Sequence, residues 1–111
     1  MTTSEGQIKE VYIMYKNKNA DGTLNICGKK VADLRSKLAS KTSQRKLADM
    51  LQLKGLDISK NAVQKIESGE RFVTDIELNK IAEVLNVSSD YLLGRTEISK
   101  PYPKDAKDLE I

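Results

Sequence analysis

The chain has 111 residues, with 19 Lys plus Arg, 16 Asp plus Glu and no histidine. This length suits one small domain with short tails, and the longest apolar run, residues 11–15, predicts neither a transmembrane span nor a secretory signal. The one cysteine, Cys27, is too few for an internal disulfide or a zinc site, as expected in a reducing cytoplasm. Because histidine is the commonest general base and metal ligand, we expect no catalytic site, no metal and no cofactor.

Charge is distributed unevenly along the chain. Residues 28–71 hold eleven Lys or Arg against five Asp or Glu, a net charge of +6. Residues 72–111 hold five against eight, a net charge of −3, and residues 1–27 hold three of each. A basic block beside an acidic one suggests that the central part faces a polyanion, although a lysine-rich solvated surface would explain the same composition.

The first 27 residues are predicted to be an N-terminal extension, with two interpretations of its structure. Residues 11–15 are β-prone, and Asp21-Gly22 suits a hairpin turn back into residues 24–26. We favour a helix instead, because four apolar side chains recur with helical spacing. This N-terminal stripe consists of Ile8, Val11, Tyr12 and Tyr15.

Capping signals predict that residues 28–94 fold as five short helices. The first runs from Gly28 to about Ala39. Ser43 and Ser59 can cap the second and third helices, and Gly69 is placed to end the third. The apolar residues that face inward in these three helices are Val31, Leu34, Leu38, Leu47, Ala48, Leu51, Ala62, Val63 and Ile66.

The last two helices have equally clear boundaries. Thr74 and Glu77 form a capping box for the fourth, and the fifth runs from Ser88 to Gly94. We therefore predict a compact all-α domain over residues 28–94. Residues 95–111, which contain two prolines and many charges, are predicted to be a short flexible tail.

The first turns of these helices differ in charge. The fourth and fifth begin with acidic residues, which the helix dipole favours. The second begins Gln44-Arg45-Lys46 and the third begins Lys60-Asn61-Ala62, so both place cations at the positive end. An anion bound there would offset the cost, and phosphate is the anion that helix N-termini commonly bind.

The order of these motifs resembles the Xre/Cro-type helix-turn-helix family of bacterial and phage repressors, whose fold is the lambda-repressor-like five-helix DNA-binding domain. The resemblance extends from Gly28 to Gly94, about sixty per cent of the chain. Five ordered blocks carry it, at residues 28–35, 43–48, 58–69, 78–82 and 85–94.

The resemblance implies a role for each matching residue. Gln44 and Arg45, at the start of the second helix, and Ser68 and Arg71, at the end of the third, are expected to bind DNA phosphates. The third helix is expected to enter the major groove and to read base edges with Ser59, Lys60, Asn61, Gln64 and Lys65. Arg35 and Glu67 are expected to form a structural ion pair. The alternative is that these polar residues are ordinary first-turn or solvent-facing positions.

The connection between the second and third helices departs from the family pattern. Gln44 and Ser59 are fifteen positions apart, about five more than the family's usual spacing. The surplus leaves the angle and depth of the third helix in the groove open. We expect Leu53 and Leu56, in the added stretch, to cover the edge of the domain rather than to face a partner. We expect Phe72 to fill space under the loop rather than to stack on a base.

The sequence thus predicts a cytoplasmic bacterial or phage transcriptional regulator, acting as a repressor on double-stranded DNA. A homodimer on a pseudo-palindromic site is expected, because one small module buries little surface on DNA. The alternative is an antitoxin or other adaptor whose main role is to occupy a protein partner, such as a toxin or antirepressor. An enzyme is not expected.

Overall fold

The computed structural model describes residues 17–38 and 40–102 of the chain. The elements in chain order are α1 (Gly28–Ser36), α2 (Gln44–Leu53), α3 (Lys60–Ser68), α4 (Asp75–Leu85) and α5 (Ser89–Leu92). These five helices confirm the predicted all-α fold, and the described part of the chain contains no strand. The N-terminal stripe lies outside the described residues. Residues 24–26 form no strand, so the hairpin alternative has no support in that half.

Side-chain caps begin four of the five helices. Ser43, Ser59, Thr74 and Ser88 each accept a hydrogen bond from the backbone N–H three residues later. At α4 the Glu77 carboxylate also accepts from the Thr74 backbone N–H, which completes the predicted capping box. These caps are local signals, so the starts of the helices agree with the sequence.

The core lies between α1, α2, α3 and α4. Helix α3 packs against both α1 and α2, while α4 packs against α1, α2 and α5. Each helix contributes one apolar face, as its periodicity predicts. The buried apolar residues are Cys27, Val31, Leu47, Ala48, Leu51, Ile58, Val63, Ile66, Ile81, Ala82, Leu85, Val87 and Leu92.

The long connection between α2 and α3 is a helix end followed by a short extended segment. Gly55 has a φ of 89°, and the Leu56 N–H donates to the Leu51 carbonyl at 3.0 Å. The Gln52 side chain then donates to the Ile58 carbonyl at 2.7 Å, which fixes the approach to α3. The surplus residues therefore form an ordered turn that is bonded to the end of α2.

Two expected roles of large apolar side chains are wrong. Leu53 is 88% exposed at the last position of α2, so it does not cover the edge of the domain, whereas Leu56 does pack against the core. Phe72 is 53% exposed and does not fill space under its loop. Both residues sit at or after a helix end, where helical periodicity no longer determines which way a side chain points.

Residues 95–102 lie beside α4 and α5 without regular secondary structure. The Ser88 N–H donates to the Ser99 carbonyl at 3.1 Å, and Pro101 and Tyr102 line a shallow pocket with residues of α4. Residues 103–111 lie outside the described residues. The flexible tail stays a prediction.

Candidate nucleic-acid interface

Helix α3 presents a polar face to solvent. Val63 and Ile66 are buried against α1 and α2, which fixes the rotation of the helix about its axis. The opposite side is exposed and carries no acidic side chain, and its residues are Lys60, Asn61, Gln64 and Lys65. The structure thus brings four of the five predicted base-reading residues onto one face. Their side chains offer both hydrogen-bond donors and acceptors.

The fifth predicted base-reading residue, Ser59, has a structural task. Its hydroxyl oxygen accepts the Ala62 N–H at 3.1 Å and so caps α3. The residue is exposed, and the hydroxyl hydrogen is left for a further acceptor.

The start of α2 carries two basic side chains. Arg45 and Lys46 occupy the first turn, both are exposed, and the turn contains no acidic residue. Ser43 satisfies only the Lys46 N–H. The remaining free N–H groups and the two cations make this end of α2 electropositive.

A buried carboxylate connects α3 to α1. Glu67, in the last turn of α3, forms a two-pronged ion pair with Arg35 of α1, with N–O distances of 2.7 and 3.0 Å. Their side chains are only 6% and 18% exposed, and the Arg35 guanidinium also donates to the Thr42 carbonyl at 2.8 Å. The bond to Glu67 raises the pKa of Arg35 above its ordinary value.

Gln44 is drawn into the same network. Its side-chain Nε2 donates to Glu67 Oε1 at 2.9 Å. This bond places the beginning of α2 beside the last turn of α3, so Gln44 and Arg45 lie near the end of α3 that carries Ser68. The Gln44 side chain keeps one N–H and its carbonyl oxygen for other partners.

Ser68 and Arg71, both predicted to bind phosphate, already have protein partners. The Ser68 hydroxyl contacts Glu70 Oε1 at 2.8 Å and the Lys65 carbonyl at 3.2 Å. Arg71 forms a two-pronged pair with Glu77 of α4, at 3.1 and 3.0 Å. A phosphate at Arg71 would use the guanidinium hydrogens that Glu77 leaves free, and one at Ser68 would meet the Glu70 carboxylate.

The Glu77 carboxylate joins the Arg71 loop to the start of α4. Burial raises its pKa, but hydrogen bonds from Arg71 and from the Thr74 backbone outweigh burial, so the pKa lies below its ordinary value of 4.5. The carboxylate is thus ionised at neutral pH and holds Arg71 in place.

Asn25 is a residue of this site that no motif in the sequence predicted. Its Nδ2 donates to the carbonyls of Ile66 at 3.0 Å and Arg71 at 2.9 Å, and its Oδ1 accepts the Gly28 N–H at 2.8 Å. Its partners on α3 and in the loop are 41 and 46 positions away, so no local pattern reveals them. The one available signal was its place three residues before Gly28, from which a side-chain oxygen can accept the first helical N–H.

Over residues 17–38 and 40–102, no group of acidic or sulfur side chains could hold a metal ion, and no helix is long and apolar enough to cross a membrane. Three further pockets in this part of the chain are lined mainly by loop residues.

Comparison with known proteins gives one match. A family model described as helix-turn-helix, of the Xre and lambda-repressor-like type, matches residues 35–92, slightly more than half of the chain. The matched stretch includes the whole of α2, α3 and α4 and the Arg35–Glu67 pair. Comparisons with curated proteins and with solved structures found no match.

Proposed function

The chain belongs to the Xre and lambda-repressor-like helix-turn-helix family, a family of DNA-binding regulators, and from this premise we propose that it is a sequence-specific transcriptional repressor. It binds double-stranded DNA in the cytoplasm, with α3 in the major groove. The observation that carries the proposal is the exposed face of α3, uniformly polar and free of acidic side chains, beside the basic start of α2.

The proposed contacts divide into two kinds. Lys60, Asn61, Gln64 and Lys65, with Ser59 at the helix start, read base edges: lysine donates to guanine O6 or N7, and Asn or Gln pairs with adenine. Gln44 and Arg45 bind phosphates at the start of α2, Ser68 binds them at the last residue of α3, and Arg71 binds them in the loop that follows. The phosphate contacts supply affinity and register, and the base contacts supply specificity.

We propose that the protein acts as a homodimer on a pseudo-palindromic operator. One module of this size buries too little DNA surface for strong discrimination, and a symmetric pair doubles the contacts. The two half-sites then lie about one helical turn apart, or a multiple of it.

The first experiment selects bound sequences from a random DNA duplex library at two salt concentrations. Enrichment of a palindromic motif supports a dimeric sequence reader and defines its half-site. If no motif is enriched and binding weakens steeply as the salt concentration rises, the protein is attracted to phosphates alone. That result would favour the alternative function, an adaptor that binds a protein partner.

Variants then test the division of contacts on the selected operator. We expect Lys60→Ala or Lys65→Ala to weaken operator binding about tenfold more than random-duplex binding, since one base contact contributes about 1–3 kcal/mol of discrimination. Lys80→Ala is the matched control, because Lys80 lies on α4 beside Glu83. Equal losses on both DNAs would contradict base reading by that lysine.

A further inference from the structure

The segment before α1 packs against the C-terminal end of α3. The Leu24 N–H donates to the Gly69 carbonyl at 2.8 Å, and the Thr23 side chain lies against Gly69. We call residues 19–28, which end at the first residue of α1, the clasp. The clasp has internal hydrogen bonds, because the Asn19 side chain donates to Thr23 Oγ1 at 2.8 Å and to the Asn25 carbonyl at 3.1 Å.

The contact between the clasp and α3 is unusually close. A Cβ placed on Gly28 would lie 2.1 Å from the Ile66 carbonyl oxygen, so the first residue of α1 touches the α3 backbone directly. A Cβ on Gly69, whose φ is 81°, would lie 2.7 Å from the Thr23 side chain. Two glycines thus let the clasp approach the end of α3 backbone to backbone.

Asn25 is the one side chain that bonds to every part of this junction. Its two amide hydrogens go to Ile66, in the last turn of α3, and to Arg71, in the loop that follows. Its oxygen receives the first N–H of α1. All of its strong hydrogen-bonding groups are used, and no other residue type of this size supplies two donors and an acceptor in that arrangement.

Resting on the proposed function, we propose that Asn25 is a positioning residue for DNA recognition. By fixing the Ile66 and Arg71 carbonyls to the start of α1, it sets where α3 ends and where the Arg71 backbone lies. Glu77 holds the other end of the Arg71 side chain. Asn25 and Glu77 together therefore determine where the arginine meets a phosphate, although Asn25 itself touches no DNA.

The substitution Asn25→Asp separates the two tasks of this side chain. An aspartate keeps an oxygen for the Gly28 N–H, and aspartate is a good helix cap. It loses both donors and places a carboxylate against two carbonyl oxygens. Asn25→Ser is the uncharged second variant, which also caps but cannot bridge both carbonyls. Asn79→Asp, at an exposed position of α4, is the control for added charge.

The first readout is amide hydrogen exchange, which needs no DNA. The Gly69 N–H donates to Ile66 and the Glu70 N–H donates to Lys65, so both report on the end of α3. We expect about tenfold faster exchange at these two amides in both Asn25 variants, with the amides of α4 unchanged. Unchanged exchange at Gly69 and Glu70 would overturn the proposal.

The second readout is the ratio of operator affinity to random-duplex affinity. It is measured at a temperature well below the midpoint of thermal unfolding of each variant. A misplaced α3 lowers this ratio about tenfold, and loss of one phosphate contact makes the slope of log K against log salt shallower by about 0.9. A residue that only stabilises the fold would scale both affinities by the folded fraction. Faster exchange with an unchanged ratio and slope would therefore overturn the positioning role.

Failure of the proposed function has a different signature. In that case the unsubstituted chain binds no DNA, whereas failure of the Asn25 proposal is seen in variants of a chain that does bind. A chain without DNA affinity would also overturn the positioning role, and the exchange rates would then show whether Asn25 holds the end of α3 for another purpose.

Discussion

Helices α2 and α3 begin differently from α4 and α5. All four have a Ser or Thr cap in the same geometry. Yet α4 and α5 have acidic residues in the first turn, while α2 and α3 have none and carry Arg45, Lys46 and Lys60 instead. The hydrogen bond to the Ser or Thr side chain is the same in both pairs, whereas the charge around it differs.

This difference is what a division between stability and phosphate binding would produce within one small domain. In α4 and α5 the chain's own carboxylates complement the helix dipole. In α2 and α3 that complement is absent, which costs about 0.3–1 kcal/mol per helix when nothing is bound. A phosphate would supply the missing negative charge, so binding would recover what folding leaves unused.

The largest effect on stability is expected at Glu67, the carboxylate in the last turn of α3. Glu67 is buried and fully paired with Arg35, so Glu67→Ala leaves a nearly buried guanidinium without its partner. We expect this to lower the free energy of unfolding by about 3 kcal/mol. Urea denaturation followed by circular dichroism measures it.

The control for Glu67 is a solvent-exposed ion pair on α1, the helix that carries Arg35. Asp33 pairs with Lys37 at 3.1 Å on the exposed side of α1, and Asp33→Ala should change stability by less than about 0.5 kcal/mol. Equal losses in the two variants would show that burial of the Glu67 network contributes nothing.

The next effect is expected at the start of α4 and depends on pH. The folded pKa of Glu77 lies below its ordinary value of 4.5, so its ion pair contributes stability above that pH and loses it as the pH falls through the folded pKa. Glu77→Gln keeps a side chain suited to the capping box but removes the charge. We expect a loss of about 1 kcal/mol at pH 7 that shrinks towards zero below pH 4.5.

The unfolding free energies of the wild type and Glu77→Gln, compared from pH 7 to pH 3, measure that difference. The Ser59 cap of α3 has no ionisable group, so Ser59→Ala should cost about 1 kcal/mol at every pH. A pH-independent difference for Glu77→Gln would contradict a contribution from its charge.

The sequence predicted the features that depend on neighbours along the chain. The starts of α2 to α5 follow from a cap and a residue three positions later, so the signals at Ser43, Ser59, Thr74 and Ser88 were enough. The buried face of each helix follows from periodicity. Fold class and the placement of the polar face of α3 were therefore within reach of the sequence.

The features that the sequence did not predict depend on residues far apart in the chain or on positions at and beyond the helix ends. Asn25 bonds to residues more than forty positions away. The Arg71–Glu77 pair crosses a loop, and the exposure of Leu53 and Phe72 is set beyond the helix ends. In the loops outside the capped helix starts, tertiary contacts decide where side chains lie, and no period in the sequence encodes those contacts.

The smallest effect on stability gives the most direct test of the division between the two pairs of helices. Lys46 lies three residues after the Ser43 cap, so Lys46→Glu creates a capping box and an acidic first turn in α2. We expect it to raise the free energy of unfolding by about 0.5 kcal/mol. It should also weaken random-duplex binding about tenfold, with a salt slope shallower by about 1.

The reverse exchange in α4 supplies the contrast. Asp75→Lys replaces a favourable first-turn charge, so it should lower stability by about 0.5 kcal/mol and leave DNA affinity unchanged. Stability and affinity thus move in opposite directions in α2, whereas only stability moves in α4. If Lys46→Glu stabilised the domain without weakening DNA binding, the basic start of α2 would be an ordinary solvated surface. The missing acidic residues would then have no functional reason.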